Sequence, residues 1–160
     1  MGYSTKFAGE LLFTRPLTHY QVADLENFLG EDCRGHSWEE FLGMKPSLTY
    51  IDLKFNNEQT GLRWDGSEKT YDLVEKVNLI ILWMKTKYGS DSFGLTGSMN
   101  AIGESNDDVW ILMIGEDGFA HKISCKINPF KLTCPHCNKE IDIGYAEPNQ
   151  GVVTEIGIKV

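Results

Sequence analysis

The most specific chemical motif of the sequence is Cys134-Pro135-His136-Cys137, near its C-terminal end. Two thiolates separated by two residues on one tight turn can occupy adjacent corners of a zinc tetrahedron. The candidates for the two further ligands are Cys33 with His36, or Cys125 with His121 or His136. The spacing therefore predicts a structural zinc site. A redox dithiol and a hairpin without metal are the alternatives, although a redox pair more often opens a helix after a strand.

A second candidate site is the turn that follows the predicted strand 60–64. Gly66 permits a sharp turn there, and N–H groups at the start of the following helix could hold an anion. An indole could stack on a base, and a neighbouring cation could contact a phosphate. The residues assigned to this ligand site are Arg63, Trp64, Asp65, Ser67, Glu68, Lys69 and Tyr71. The alternative is a structural turn, in which Trp64 packs at the edge of the core and Ser67 caps the helix.

A third candidate is the acidic loop 103–108. Its three carboxylates are Glu104, Asp107 and Asp108. Carboxylates this close could bind Mg²⁺ or Ca²⁺ through oxygen ligands, or perform acid–base chemistry. Trp110 follows in the next strand, so Glu104, Asp108 and Trp110 join the ligand site if the sheet brings the loop beside Trp64. A solvated turn is the alternative interpretation.

The sequence contains none of the familiar catalytic signatures. It has no phosphate-binding loop, no dinucleotide fingerprint and no nucleophile elbow. The four histidines are scattered along the chain rather than placed near a candidate nucleophile. These features favour a binding protein over an enzyme and leave the question of catalysis open.

One long, mostly apolar helix is predicted between Ser67 and Tyr88. Apolar residues recur there at spacings of three and four, namely Leu73, Val77, Ile80, Ile81 and Met84. Ser67 is the predicted N-cap, and Gly89 is suited to the end of the helix. The broad apolar face would suit a core or an oligomer interface. Polar residues interrupt the helix, so its apolar run is too short to span a membrane.

Periodicity also predicts a shorter helix and six strands. Thr18 and Gln21 form a capping box at the start of the short helix, which ends at Gly30. The predicted strands cover residues 3–13, 48–55, 60–64, 93–102, 109–114 and 119–127. The resulting order β-α-β-β-α-β-β-β predicts an α+β fold, with one antiparallel sheet and two helices on one face. A ferredoxin-like core is the first hypothesis for residues 1–127, followed by a zinc-knuckle-like hairpin and tail in 128–160.

Composition limits the classes of partner. The 160 residues include 15 Lys and Arg against 23 Asp and Glu, so the net charge is −8. This charge argues against binding a bare phosphate backbone and is compatible with a small ligand or a basic protein. The N-terminus has no apolar core of a signal peptide, and the cysteines have no regular disulfide spacing. These features predict a cytoplasmic protein that binds neither membranes nor nucleic-acid backbones.

Several short motifs follow one another in a recognisable order. They are Gly2-Tyr3 with Phe7 and Gly9, Pro16-Leu17, Gly61 with Trp64-Asp65-Gly66, Glu68-Lys69 with Tyr71, Leu95-Thr96-Gly97, Gly103-Glu104 with Asp108, and the terminal Cys-Pro-His-Cys. Over about residues 1–140 the pattern resembles a family of small uncharacterised proteins of bacteriophages and some bacteria. The Trp-Asp-Gly-x-Glu-Lys segment is its most distinctive part. Because that family has no settled activity, the resemblance implies only a context, a phage-type accessory protein acting inside a bacterial cell.

Together these observations predict a non-enzymatic protein that acts in phage–host conflict. It would sequester a small nucleotide-like ligand or inhibit a host defence protein, and it could form a homo-oligomer. The first alternative is a divalent-metal-dependent nucleotide hydrolase or transferase that uses the acidic loop. The second is a zinc-knuckle interaction module that presents its acidic surface to a basic protein.

Overall fold

The computed structural model describes residues 4–32, 50–105 and 108–124, and the backbone of two further short strands. The chain divides into two compact units, Met1–Lys126 and Ile127–Val160. Within the second unit, strands β7 (Lys131–Thr133) and β8 (Glu140–Asp142) form an antiparallel pair. The predicted zinc ligands Cys33, His36, Cys125, Cys134 and Cys137, together with His136, lie outside the described residues.

The first unit confirms the predicted α+β class and its antiparallel sheet. In chain order its elements are β1 (Thr5–Phe13), α1 (His19–Leu29), β2 (Leu53–Phe55), β3 (Gly61–Trp64), α2 (Leu73–Tyr88), β4 (Leu95–Gly103), β5 (Val109–Ile114) and β6 (Ala120–Ser124). The sheet order is β2-β3-β1-β4-β5-β6, and each strand runs antiparallel to its neighbours. Among the described helices, neither is long and apolar enough to cross a membrane.

The central strand β1 pairs with β4 along its whole length, from Thr5 opposite Gly103 to Phe13 opposite Leu95. On its other side β1 meets β3 at a very close approach. A Cβ atom at Gly61 would lie 2.4 Å from the carbonyl oxygen of Leu11, so only glycine fits there without a backbone shift.

Within the described residues, both helices pack on the same face of the sheet. Side chains on the covered face, such as Phe7, Leu11 and Met99, form the hydrophobic core together with α1 and α2. The other face carries the even-numbered side chains of β1 and β4, the odd-numbered ones of β5 and β6, and Arg63 of β3 with Lys54 of β2. These side chains are exposed or half-buried, and we call this side of the sheet the open face. Alternation along each strand assigns every residue to one of the two faces.

Helix α1 begins as its sequence predicts. The Thr18 hydroxyl accepts a hydrogen bond from the backbone N–H of Gln21 at 3.3 Å. The Gln21 side-chain oxygen accepts one from the backbone N–H of Thr18 at 2.9 Å. This reciprocal pair confirms the capping box, because both N–H groups would otherwise lack partners in the first turn.

Helix α2 begins five residues later than predicted, at Leu73 rather than directly after Ser67. The predicted N-cap is therefore wrong. The Ser67 hydroxyl donates to the Asp65 carboxylate at 2.7 Å instead of accepting from the helix. The actual N-cap is Asp72, which has a φ of 52° and makes no capping hydrogen bond through its side chain. The end of the helix is as predicted, at Gly89 with a φ of 100°.

The apolar face of α2 is buried in the protein's own core. Its fully buried residues include Leu73, Val77, Leu79, Ile80, Ile81 and Met84. On the next helix face, Trp83 stacks on Phe28 of α1 with ring centroids 4.4 Å apart. The helix is therefore a core element, and these buried side chains pack within the first unit.

Strand β2 is shorter than predicted, since it starts at Leu53. Asp52 has a φ of 59°, in the left-handed region, and this backbone conformation cannot continue a strand. The predicted strand 48–55 is therefore wrong at its start, although residues 48 and 49 lie outside the described part. The reason is tertiary, because the Asp52 side chain pairs with Lys76 of α2.

The two helices are also joined through Asp24 of α1. The Tyr88 hydroxyl donates to the Asp24 carboxylate, and the Lys87 ammonium lies 2.5 Å from the same carboxylate. The hydrogen bond to Asp24 and, secondarily, burial raise the pKa of Tyr88 to about 12. Hydrogen bonds from Lys87 and Tyr88 hold the pKa of Asp24 below its usual value.

We therefore expect Tyr88 to resist ionisation at alkaline pH. Its folded pKa of about 12 lies above the ordinary value of 10.0, so the linked stabilisation is complete below pH 10 and is lost as pH rises through about 12. Absorbance titration of tyrosinate in wild type minus Tyr88→Phe should show one group titrating near pH 12. A difference curve centred near pH 10 would show that the bond to Asp24 does not hold in solution.

Candidate functional site

The turn after β3 is held by its own side chains. The Asp65 carboxylate accepts hydrogen bonds from the backbone N–H of Ser67 at 2.8 Å and from its hydroxyl at 2.7 Å. The Trp64 indole N–H donates to the Thr70 hydroxyl at 2.8 Å, and Thr70 is buried. Gly66 takes a φ of 97°, which favours glycine. These contacts give the turn one defined conformation before α2 begins.

Trp64 belongs to a row of aromatic rings on the covered face. Phe7 contacts Trp64 edge-on at 5.9 Å on one side and Trp110 at 5.5 Å on the other. The Lys122 ammonium lies 4.5 Å from the centre of the Trp110 ring, in a cation–π contact. Trp64 and Trp110 therefore share Phe7 as a neighbour. Trp110 is buried, and Trp64 is half-buried against the hydrophobic core.

Ser4 joins the turn to the acidic loop. Its backbone N–H donates to the Glu104 carboxylate at 2.8 Å, and its hydroxyl donates to the carbonyl oxygen of Glu68 at 2.9 Å. The start of β1 thus brings together two loops that are far apart in the chain. Asp65, Glu68, Tyr71 and Glu104 are all exposed here, and we call these four residues the acidic edge.

Arg63 lies away from the acidic edge. It alternates with Trp64 along β3, so its side chain is on the open face, where it donates to Asn57 at 2.9 Å. The cation that does contact the turn is Lys54, which donates to the carbonyl oxygen of Asp65 at 3.2 Å. Of the predicted ligand residues, Ser67 is thus used within the turn and Arg63 is on the other face. Lys69 is exposed in the turn.

A buried ion pair behind the turn was not predicted. The Lys76 ammonium of α2 pairs with the Asp52 carboxylate, and both residues are almost completely buried. The Asp52 carbonyl oxygen also accepts from the backbone N–H of Asp65 at 3.1 Å. Asp52 therefore anchors both α2 and the turn. A lysine at a core position of an apolar helix was the sequence signal, because lysine is almost never fully buried without a partner.

The structure describes only some of the residues that were predicted to bind a metal. In the acidic loop, Asp107 lies outside the described residues. Among the residues that are described, no three His, Cys, Asp or Glu side chains are grouped closely enough to hold a metal ion. His121 of the predicted zinc set has its Nε2 atom 2.9 Å from the Asp117 carboxylate. That hydrogen bond, with one from the Phe119 N–H, lowers the pKa of Asp117.

The open face is a second surface that the sequence reading missed. Strand β5 reads Val-Trp-Ile-Leu-Met-Ile, an uninterrupted apolar run. An antiparallel strand with one solvated face normally alternates between apolar and polar residues, whereas a strand covered on both faces does not. The run was therefore a signal that this part of the sheet has two apolar sides.

Comparisons of the chain with models of protein families, with curated proteins and with solved structures find no match. The resemblance to phage and bacterial proteins rests on short motifs and stays a prediction. Function is therefore inferred from the chain's own residues.

Proposed function

We propose that the protein is a non-enzymatic binding protein that holds a basic protein partner at the acidic edge. The observation that carries this proposal is the double hydrogen bond of Ser4, which fixes the Glu104 loop against the Glu68 turn. The two loops together present three carboxylates and Tyr71, whose side chain is 47% exposed. Tyrosine is enriched at the energetic centres of protein interfaces.

Electrostatics favours a cationic partner over a nucleotide at this edge. The phosphates of a nucleotide would approach Asp65, Glu68 and Glu104 and would be repelled. Of the two predicted cations, Arg63 lies on the open face, and Lys69 is exposed in the turn but is outnumbered by the three carboxylates. Helix α2 starts beyond the turn, with Glu75 in its first turn. A basic protein surface, in contrast, gains attraction from the edge and from the net charge of −8. This supports the inhibition of a protein rather than the sequestering of a nucleotide.

The wider context of the proposal is a phage-type accessory role in the bacterial cytoplasm. It rests on the motif resemblance. We further propose that β1 to β4 and the two helices form a ferredoxin-like core that β5 and β6 extend. The order β2-β3-β1-β4, with α1 after β1 and α2 between β3 and β4, supports this assignment. A structural zinc site at Cys134 and Cys137 stays a prediction.

The test uses isosteric neutralisation of the edge, with the substitutions Asp65→Asn, Glu68→Gln and Glu104→Gln combined. The amide oxygens can still accept the hydrogen bonds from Ser67 and Ser4, so the loops should keep their conformation. The matched control removes the same charge at other exposed positions, with Glu26→Gln, Glu58→Gln and Glu116→Gln. Immobilised wild type, edge variant and control variant are each incubated with bacterial lysate, and retained proteins are quantified by mass spectrometry.

We expect a basic protein that wild type and control retain and that the edge variant retains at least about tenfold less, since several charge contacts are lost together. Its retention should also fall with salt, because exposed charge pairs are screened. Equal retention by the edge and control variants would contradict the proposal. If native mass spectrometry instead finds a nucleotide-sized mass on wild type that is absent from the edge variant, ligand sequestration would be favoured.

A further inference from the structure

The open face carries more apolar surface than a solvated sheet face requires. Its large exposed apolar side chains are Leu12, Ile102, Met113 and Ile123. Between them lie Val109 and Ile111 of β5, both half-buried. Contiguous exposed apolar surface of this kind usually marks a contact with another macromolecule. In the described strands, His121 is the one aromatic side chain on the open face. The face therefore lacks the aromatic stacking platforms of proteins that bind single-stranded nucleic acids.

The strand register arranges the open face in parallel rows, and three neighbouring rows cross β1 at Lys6, Ala8 and Glu10. The first row is Lys6, Ile102 and Val109, and the middle row is Ala8, Asn100, Ile111 and Ile123. The third row is Glu10, Ser98, Met113 and His121. Lys6 and Glu10 therefore stand on the same strand at equal distances from Ala8, on either side of the middle row.

We infer that a second copy of this chain packs on the open face, related by a twofold axis that runs along the middle row. Such an axis turns each row onto its symmetric counterpart, so the first row of one copy lies over the third row of its partner. Lys6 then faces the partner's Glu10, and Val109 faces the partner's Met113. Ile111 and Ile123 pack on their own equivalents. Asn100 meets its own equivalent, and two amides can exchange hydrogen bonds.

Charge is compatible with this arrangement. Within the described strands, the open face carries Lys6, Lys54 and Arg63 against one carboxylate, that of Glu10, although the whole chain has a net charge of −8. Most of the acidic excess therefore lies elsewhere, and repulsion between two copies is smallest when they meet through this face. Glu10 is also held in place, because it accepts a hydrogen bond from the Asn56 amide at 2.9 Å.

The area is also sufficient. Strands β1 and β4 have nine residues each, and the other four strands of the sheet have three to six. At about 3.3 Å per residue and a strand spacing of about 4.8 Å, the open face covers about 600 Å² per copy. Two copies would together bury about 1,200 Å², at the lower end of the range for stable interfaces. The dimer uses side chains of the open face, whereas the acidic edge is formed by loops at the strand ends. A dimer would therefore present two acidic edges, and this inference does not depend on the proposed function.

A charge-swap series measured by sedimentation equilibrium of the full chain tests the inference. Wild type should be a dimer at micromolar concentration. Lys6→Glu and Glu10→Lys alone should each weaken dimerisation at least about tenfold, because like charges then face each other across the axis. The double variant restores opposite charges and should return to within about threefold of wild type. Restoration also shows that the single variants lost the contact rather than the fold.

A second arm tests the apolar centre of the interface. Ile111→Asp replaces an apolar side chain with a carboxylate that faces its own equivalent across the axis. It should therefore give monomers with an unchanged circular dichroism spectrum. Tyr20→Asp, at a 77% exposed position of α1, is the matched control and should stay dimeric. A monomeric wild type would overturn the inference and assign the face to another occupant. A dimer that is insensitive to Ile111→Asp, or single swaps that the double swap does not rescue, would overturn it as well.

Discussion

Lys76→Met is expected to destabilise the fold by about 3–5 kcal/mol, the range for breaking a buried ion pair from one side. Lys76 is 4% exposed and Asp52 is 8% exposed, so the substitution leaves a carboxylate without its counter-charge in the core. The loss should extend to the turn, because Asp52 also accepts the backbone N–H of Asp65. Chemical denaturation monitored by tryptophan fluorescence gives the free energy of unfolding.

The same substitution on the exposed side of the helix is the control. Lys87 also pairs with a carboxylate, that of Asp24, but its side chain is 44% exposed. Lys87→Met should therefore cost less than about 1 kcal/mol, as exposed ion pairs do. Equal losses for Lys76→Met and Lys87→Met would show that the buried pair is not formed.

A double variant separates the pair from the packing. Asp52→Asn keeps a residue type that tolerates the left-handed backbone conformation at φ 59° and removes the charge. Combined with Lys76→Met, it leaves no unpaired charge in the core. Most of the lost stability should therefore return, in a strongly non-additive double-mutant cycle.

Trp64→Ala is the second substitution with a large expected effect, a destabilisation of about 2–4 kcal/mol. The ring packs against Phe7 and the core, and its N–H satisfies buried Thr70. Because Trp64 is half-buried, the loss should be at or below the range for fully buried aromatic residues. Trp64→Phe keeps most of the packing and removes the hydrogen bond, so it should cost about 1 kcal/mol.

The outcome decides how the turn is interpreted. If Trp64 were a free stacking platform, Trp64→Ala would remove ligand binding while leaving the free energy of unfolding unchanged. Tyr71→Ala is the comparison, since an exposed side chain in the same turn should change stability by no more than about 0.5 kcal/mol. Thermal and chemical denaturation of the two variants side by side distinguish the structural role from the binding role. Trp64→Ala with wild-type stability would contradict the packing described above.

Local pattern alone determined the fold class and several of its elements. The capping box of Thr18 and Gln21 involves groups three residues apart, so the start of α1 follows from adjacent sequence. The apolar spacing of α2 and the alternation of the strands likewise predicted the helices and the antiparallel sheet. The sequence also identified the turn 63–71 and the acidic loop as candidate surfaces, because both carry exposed polar groups between regular elements.

Only the tertiary structure decided how those elements begin and what they face. Helix α2 starts at Leu73 because Ser67 bonds to Asp65 and because Lys76 reaches Asp52, a residue 24 positions earlier. Ser4 joins Glu104 to the turn across a separation of 100 residues. Such contacts depend on where the sheet brings distant strand ends. A pattern read within a window of ten residues cannot contain them, and the open face likewise depends on which side of the sheet the helices cover.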